Sequence, residues 1–211
     1  MRIGTHKEKG QKWSLGNDEI EETTQYKYLG DIVTNDGKNK ENISARKNKL
    51  KGSTINIKTI AANEVLNSVE TAVLLELHEK MSVASLLNNA ESWTLSKGEE
   101  EDLEKMEVQA LKDLFDLPLH IPTNALIHTF GVLYTKQRID LKALIFLQRI
   151  LLKDDDNWLK KTLLTLKTMN IGWYKKIHMK LEEYELPDDF TIITHHTPTQ
   201  WSVRVKTAIA N

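Results

Sequence analysis

Between Lys136 and Lys153 the apolar residues recur at the spacing of one helix face. Ile139, Ala143, Phe146, Leu147 and Ile150 form the stripe, and Leu141, Leu144, Ile145, Leu151 and Leu152 widen it. A helix this broadly apolar has to be covered by several neighbours. The chain supplies them in series. Leu103, Met106, Ala110, Leu111, Leu114 and Phe115 give one stripe, opened by a capping box in which Ser96 and Glu99 satisfy each other's backbone amides. Thr123 to Phe130 is short and ends at Gly131. Asp154 to Asn157 caps a helix carrying Trp158 or Leu159, then Leu163, Leu166 and Met169, with Gly172 as its end. Trp173, Ile177, Leu181 and Tyr184 follow on a helix bounded by Pro187. Thr197 and Pro198 open the last helix, with Trp201, Val205, Ala208 and Ile209 facing inward. Asp188-Asp189 and His195-His196 read as loop.

The N-terminal part has a different pattern. Trp13-Ser14-Leu15 and Ile20-Glu21-Glu22 flank the hairpin turn Gly16-Asn17-Asp18-Glu19. Tyr26, Tyr28, Ile32 and Val33 read as a strand kinked at Gly30, and Asn35-Asp36-Gly37 as a turn. From Asn39 to Ile60 the apolar residues Ile43, Leu50, Ile57 and Ile60 and the polar Thr54 return at roughly helical spacing, with a bend or break expected near Gly52-Ser53. Ala61 to Leu87 is so dense in apolar residues that a helix buried on several sides is expected. The fold class is therefore mainly α, a bundle of eight or nine helices with a small N-terminal β-hairpin and strand unit. Three parts are expected: 1–37 as the β unit, 38–116 as a first helical unit and 117–211 as a second. Pro118 and Pro122 mark the last boundary.

The 40% hydrophobic and 28% charged composition is that of a globular chain rather than a disordered one. The net charge is −1, but it is segregated. Residues 38–58 hold seven lysines or arginines against Glu41, and Glu99–Asp116 hold eight acids against two lysines. This asymmetry points to one basic face meeting a polyanion, or to two solvated faces that complement each other. Lys7, Lys9 and Lys12 beside Trp13 offer a weaker basic-aromatic combination, for which packing of the tryptophan is the simpler account. The absence of cysteine excludes disulfides and thiolate metal sites and fits a reducing intracellular compartment. No apolar run approaches the roughly 20 residues of a membrane span, and the first residues predict no signal peptide.

Residues that tempt a chemical reading lack partners in the sequence. His78-Glu79 has no second histidine one helical turn on. His120 and His128 lie across a proline, and His195-His196 has no third ligand nearby. Glu99 to Asp102 are consecutive on a helix and point around its axis rather than converging. No phosphate loop, hydrolase nucleophile context or zinc pattern is present. No catalytic residue, metal ligand or cofactor is expected.

The order Tyr28-Leu29-Gly30, Asn35-Asp36-Gly37, basic helix resembles the end of the polymerase core of non-LTR (LINE-like) retrotransposon reverse transcriptases. Leu77-His78-Glu79, Asn89-Ala90-Glu91-Ser92-Trp93, Leu117-Pro118, Arg138-Ile139-Asp140 and Asn170-Ile171-Gly172-Trp173-Tyr174 extend the resemblance over most of the chain. It implies a primer-grip strand, a thumb and a helical connector without the catalytic aspartates. Asp154-Asp155-Asp156 and Asp188-Asp189 lack the hairpin context that two-metal transfer requires. On this reading the chain is no enzyme by itself and positions template and primer. Tyr28, Leu29 and Gly30 support the primer end. Lys38, Lys40, Arg46, Lys47, Lys49, Lys51 and Lys58 neutralise phosphates of RNA or an RNA–DNA hybrid, and the remainder of a reverse transcriptase is a possible partner. The competing readings are a helical protein-interaction module and a decayed transposon-derived reading frame. An exposed apolar face on the β unit would favour the latter.

Overall fold

The computed structural model describes residues 13–20, 23–28, 30–62 and 70–210, with the backbone alone described at Trp13. The chain divides into two compact units, Met1–Leu86 and Leu87–Asn211. Leu117-Pro118 through Pro122 is thus a connector inside the second unit.

The first unit opens with two hairpins. Strand β1 (Trp13–Leu15) pairs antiparallel with β2 (Asp18–Ile20), and Trp13 stands opposite Ile20. The turn is shorter than expected: only Gly16 and Asn17 lie between the strands, with Gly16 at φ +64°. Glu21, Glu22 and the lysines before Trp13 lie outside the described residues. Strand β3 (Gln25–Tyr28) pairs with β4 (Asp31–Thr34), placing Tyr26 opposite Val33 and Tyr28 opposite Asp31. The expected single kinked strand is therefore a hairpin. Gly30, at φ +94°, reverses the chain where a side chain would be strained. The turn after β4 forms as expected, with the Thr34 hydroxyl donating to Asp36 at 2.7 Å and the Lys38 amide donating to the same carboxylate at 3.1 Å.

Helix α1 (Lys40–Ala61) runs unbroken through Gly52-Ser53, where the Ser53 and Thr54 hydroxyls return to the Leu50 carbonyl. It buries Ile43, Leu50, Thr54 and Ile57. After it come α2 (Thr71–Leu77), a wide π-type turn from His78 to Val83, and α3 (Ala84–Leu86). The expectation of a helix buried on several sides fails here. No residue of α2 is buried, and Val73 is exposed. Burial instead falls on His78, Ser82, Val83 and Leu86, because the wide turn rotates the later residues inward.

The second unit is the helical bundle. A 3-10 turn (Ala90–Ser92) precedes α4 (Lys97–Leu114), α5 (Thr123–Phe130), α6 (Thr135–Leu151), α7 (Trp158–Met169), α8 (Gly172–Glu183), α9 (Phe190–His195) and α10 (Pro198–Ala210). Helix α6 is central, as its apolar breadth requires. Its Ala143, Leu144, Leu147, Ile150 and Leu151 share one core with Leu163, Ile177, Leu181, Ile193, Trp201 and Val205. The Ser96–Glu99 capping box forms. Helix α7 ends at Asn170 rather than Gly172, since asparagine takes the left-handed cap at φ +50°. Helix α9 replaces an expected loop, and Asp189 caps it by accepting from the Thr191 amide at 2.8 Å.

Of the tryptophan anchors, Trp201 is fully buried and its indole donates to the Leu144 carbonyl at 2.9 Å. Trp173 donates to the Glu91 carbonyl at 2.8 Å. Trp158 is 73% exposed and leaves the inward position to Leu159. The Trp201→Ala variant is expected to lose about 3–5 kcal/mol of stability, and Trp158→Ala less than about 0.5 kcal/mol. Denaturant unfolding followed by far-UV circular dichroism checks both.

Candidate functional site

In the first unit the expected basic residues separate by face. At about 100° per residue, Lys40, Lys47, Lys51 and Lys58 fall within about 20° of each other, a row about 27 Å long on one edge of α1. Lys40, Lys47 and Lys51 are exposed, and Lys58 is half-buried. Lys49 is exposed on the opposite edge, and Lys38 precedes the helix beside Asp36 at 3.7 Å. Arg46 is removed from the group altogether. Its side chain is 1% exposed, and its guanidinium pairs with Asp31 of β4 and donates to the Ser85 carbonyl at 3.2 Å. Asn42, one turn earlier, accepts from the Ile32 amide at 3.4 Å. Arg46 is thus a structural pin that fastens β4 and the end of α3 to α1. A buried guanidinium has no spare donor face for a phosphate.

Strand β3 is exposed along its whole length, with Tyr26 at 58% and Tyr28 at 62%. The two tyrosines alternate with Lys27 and so share one face. Among the described residues no strand pairs with the outer edge of β3. Leu15 and Ile20 of the first hairpin are exposed as well. Leu29 lies outside the described residues, and Gly30 sits in the hairpin turn.

The second unit holds a cluster that the sequence reading assigned only to a polar helix face. Asp140 of α6 is fully buried. Its Oδ2 accepts from the Lys136 ammonium at 2.9 Å and the Tyr184 hydroxyl at 2.7 Å, and Lys180 pairs with Oδ1. Lys136 also reaches Glu183 at 2.6 Å. Burial works against the charge of Lys136, but its bonds to Glu183 and Tyr184 hold its pKa above the ordinary value. Burial pulls the Lys180 ammonium down and pushes the Tyr184 phenol up, which keeps Tyr184 a donor.

Beside this cluster lies a cavity of about 840 Å³ walled by α4, α6 and α8. Glu104 lines it. Its Oε2 accepts from the Thr135 amide at 2.7 Å, capping the start of α6 from a neighbouring helix. Its Oε1 is buried with no donor. Desolvation raises the Glu104 carboxyl above its ordinary value, against the bonds from Thr135. The signals that pointed here were Arg138-Ile139-Asp140 within an apolar helix and the acidic run of α4; neither identifies its partner on α8.

Among the described residues no group of three or more histidines and acids is placed to hold a metal ion. The His196 ring instead meets the Ile192 carbonyl at 2.8 Å and Arg204 at 3.2 Å. No helix among them is long and apolar enough to cross a membrane. No family model, curated protein or solved structure matches the chain.

Two outcomes follow from this geometry. Arg46→Ala leaves Asp31 without its partner and is expected to destabilise the first unit by about 3 kcal/mol, whereas Lys47→Gln changes stability by less than about 0.5 kcal/mol; urea unfolding separates them. The raised Glu104 pKa favours the folded state below its unfolded value, and that contribution is lost as pH rises through the folded value. Glu104→Gln is therefore expected to raise the melting temperature at pH 7, with the gain disappearing toward pH 4.

Proposed function

We propose that this chain is a helical protein-interaction module that works by contact rather than by chemistry, with β3 as a docking strand. The observation that carries this reading is the open outer edge of β3 with Tyr26 and Tyr28 exposed on one face. A two-stranded sheet is marginal by itself and gains from a further strand. An extended segment pairing along β3 satisfies its free backbone groups and covers the tyrosines. Lys27 within the strand and Lys38 and Lys40 after it suit a segment rich in Asp and Glu. The same exposed apolar face is what the reading of a decayed frame would leave, and selective loss of binding in the tests below separates the two.

The lysine row of α1 favours a second reading, as a nucleic-acid contact resembling the thumb of non-LTR reverse transcriptases. Four lysines on one edge track a phosphate backbone without reading bases. In that reading Lys49 and Arg46 drop out, and Lys40, Lys47 and Lys51 carry the contact.

A salt series decides between them. For the protein-interaction reading, an extended acidic peptide with alternating valines binds the whole chain, protects the β3 amides from hydrogen exchange and is lost in Tyr26→Ser/Tyr28→Ser. For the thumb reading, an arbitrary RNA–DNA hybrid binds steeply less well as salt rises. That binding falls in Lys40→Gln/Lys47→Gln/Lys51→Gln and persists in Lys49→Gln. Absence of peptide binding by a folded sample, with hybrid binding present, overturns the first reading in favour of the second. Absence of both removes both.

A further inference from the structure

We propose that the cavity between α4, α6 and α8 is a binding site for a small organic cation, a primary alkylammonium whose head group donates to Glu104 and Glu100. The inference rests on a tally of which charged groups inside the cavity already have partners. On the α6 and α8 side, Lys136 and Lys180 are spent on Asp140 and Glu183. They have little left to offer an anionic ligand. On the α4 side the balance is reversed. Glu104 keeps one buried oxygen with no donor, and Glu100, one helical turn before it, is half-buried and makes no side-chain hydrogen bond or ion pair among the described residues. Two carboxylates on one helix face therefore hold acceptor capacity that no protein donor fills.

Lys97, Lys105 and Lys176 also line the space, but all three are exposed and keep their ammonium groups in solvent. Water and salt screen them there far more than they screen the half-buried carboxylates. The remaining wall includes Met179 and Tyr134, surfaces that suit an alkyl chain. A buried carboxylate oxygen without a donor costs stability. The raised pKa of Glu104 reports the same desolvation. An ammonium donor supplied by a ligand relieves it, which is the reason for a cation rather than a neutral molecule of the same shape.

The ammonium has two possible sources, a free amine or a lysine side chain of a peptide, and the test carries both. The whole chain in phosphate buffer, free of amine buffers, is titrated with n-pentylamine, with Nα-acetyl-lysine methylamide and with pentanoate. Binding is followed by chemical-shift changes of the Glu104, Thr135 and Met179 amides. Probes this small are expected to bind with dissociation constants on the order of millimolar. Saturable binding of either amine, with pentanoate at least tenfold weaker, supports the site. Tighter binding of the lysine derivative assigns the peptide source, and tighter binding of pentylamine the free amine. Glu104→Gln is expected to weaken binding at least tenfold while keeping its fold. Glu100→Gln, at a position that holds no backbone amide by its side chain, gives the same reading should the first variant fail to fold. Pentanoate binding as tightly as the amines overturns the proposal, as does full affinity in both folded variants or no saturable amine binding by the folded chain.

Discussion

A carboxylate with no access to water has to be met by donors from the protein, and Asp140 imposes that demand at the centre of the second unit. Its donors come from its own helix, through Lys136, and from α8, through Lys180 and Tyr184. The apolar contacts of α6 are broad and tolerate some sliding, whereas three donors converging on two oxygens do not. Burying an ion pair adds little to stability compared with a well-packed apolar substitute, but breaking one costs several kcal/mol. The cluster therefore fixes the register of α8 on α6 more than it strengthens the bundle. In the first unit the Arg46–Asp31 pair has the same logic and ties a short hairpin to a long helix.

The polar residues of α6 extend this principle to the helix ends packed around it. Gln148 is buried and donates to the Ile193 carbonyl at 3.0 Å and the His196 carbonyl at 2.8 Å, ending α9. Gln137 donates to the Ile209 carbonyl near the end of α10 at 3.0 Å, and Lys142 reaches the Leu87 carbonyl at 2.9 Å. Terminal carbonyls have no partner within their own helix, so a neighbour must supply one. The central helix thus does two jobs, covering apolar surface and closing the ends of the helices that cover it.

Much of the bundle was legible because helix formation is written locally. The stripe of α6, the Ser96–Glu99 box and Pro198 at the start of α10 need no distant residue to be read. The failures have equally local causes. Gly30 looked like a kink because a left-handed glycine serves both kinks and reversals, and only the pairing of Tyr26 with Val33 distinguishes them. Helix α9 is six residues long, too short for periodicity to show, although its Asp189 cap was in view. The stretch around α2 misled because apolar content alone does not say whether a partner surface exists.

At the candidate sites the sequence determined which residue types were available: a lysine-rich helix, an acidic helix, an alternation of tyrosines. Their spacing even held the division of Lys49 from Lys40, Lys47 and Lys51, since helical phase is arithmetic on sequence numbers. Tertiary structure alone decided which charges are consumed. Arg46 and Lys180 read as solvent-facing cations until Asp31 and Asp140, 15 and 40 residues away, are brought to them. Glu104 reads as one acid among many until Thr135 takes one of its oxygens and burial isolates the other. Local propensity acts over a few residues, so it specifies the helices. Charge pairing and desolvation depend on distance in space, so the sites they create appear only when the chain has folded.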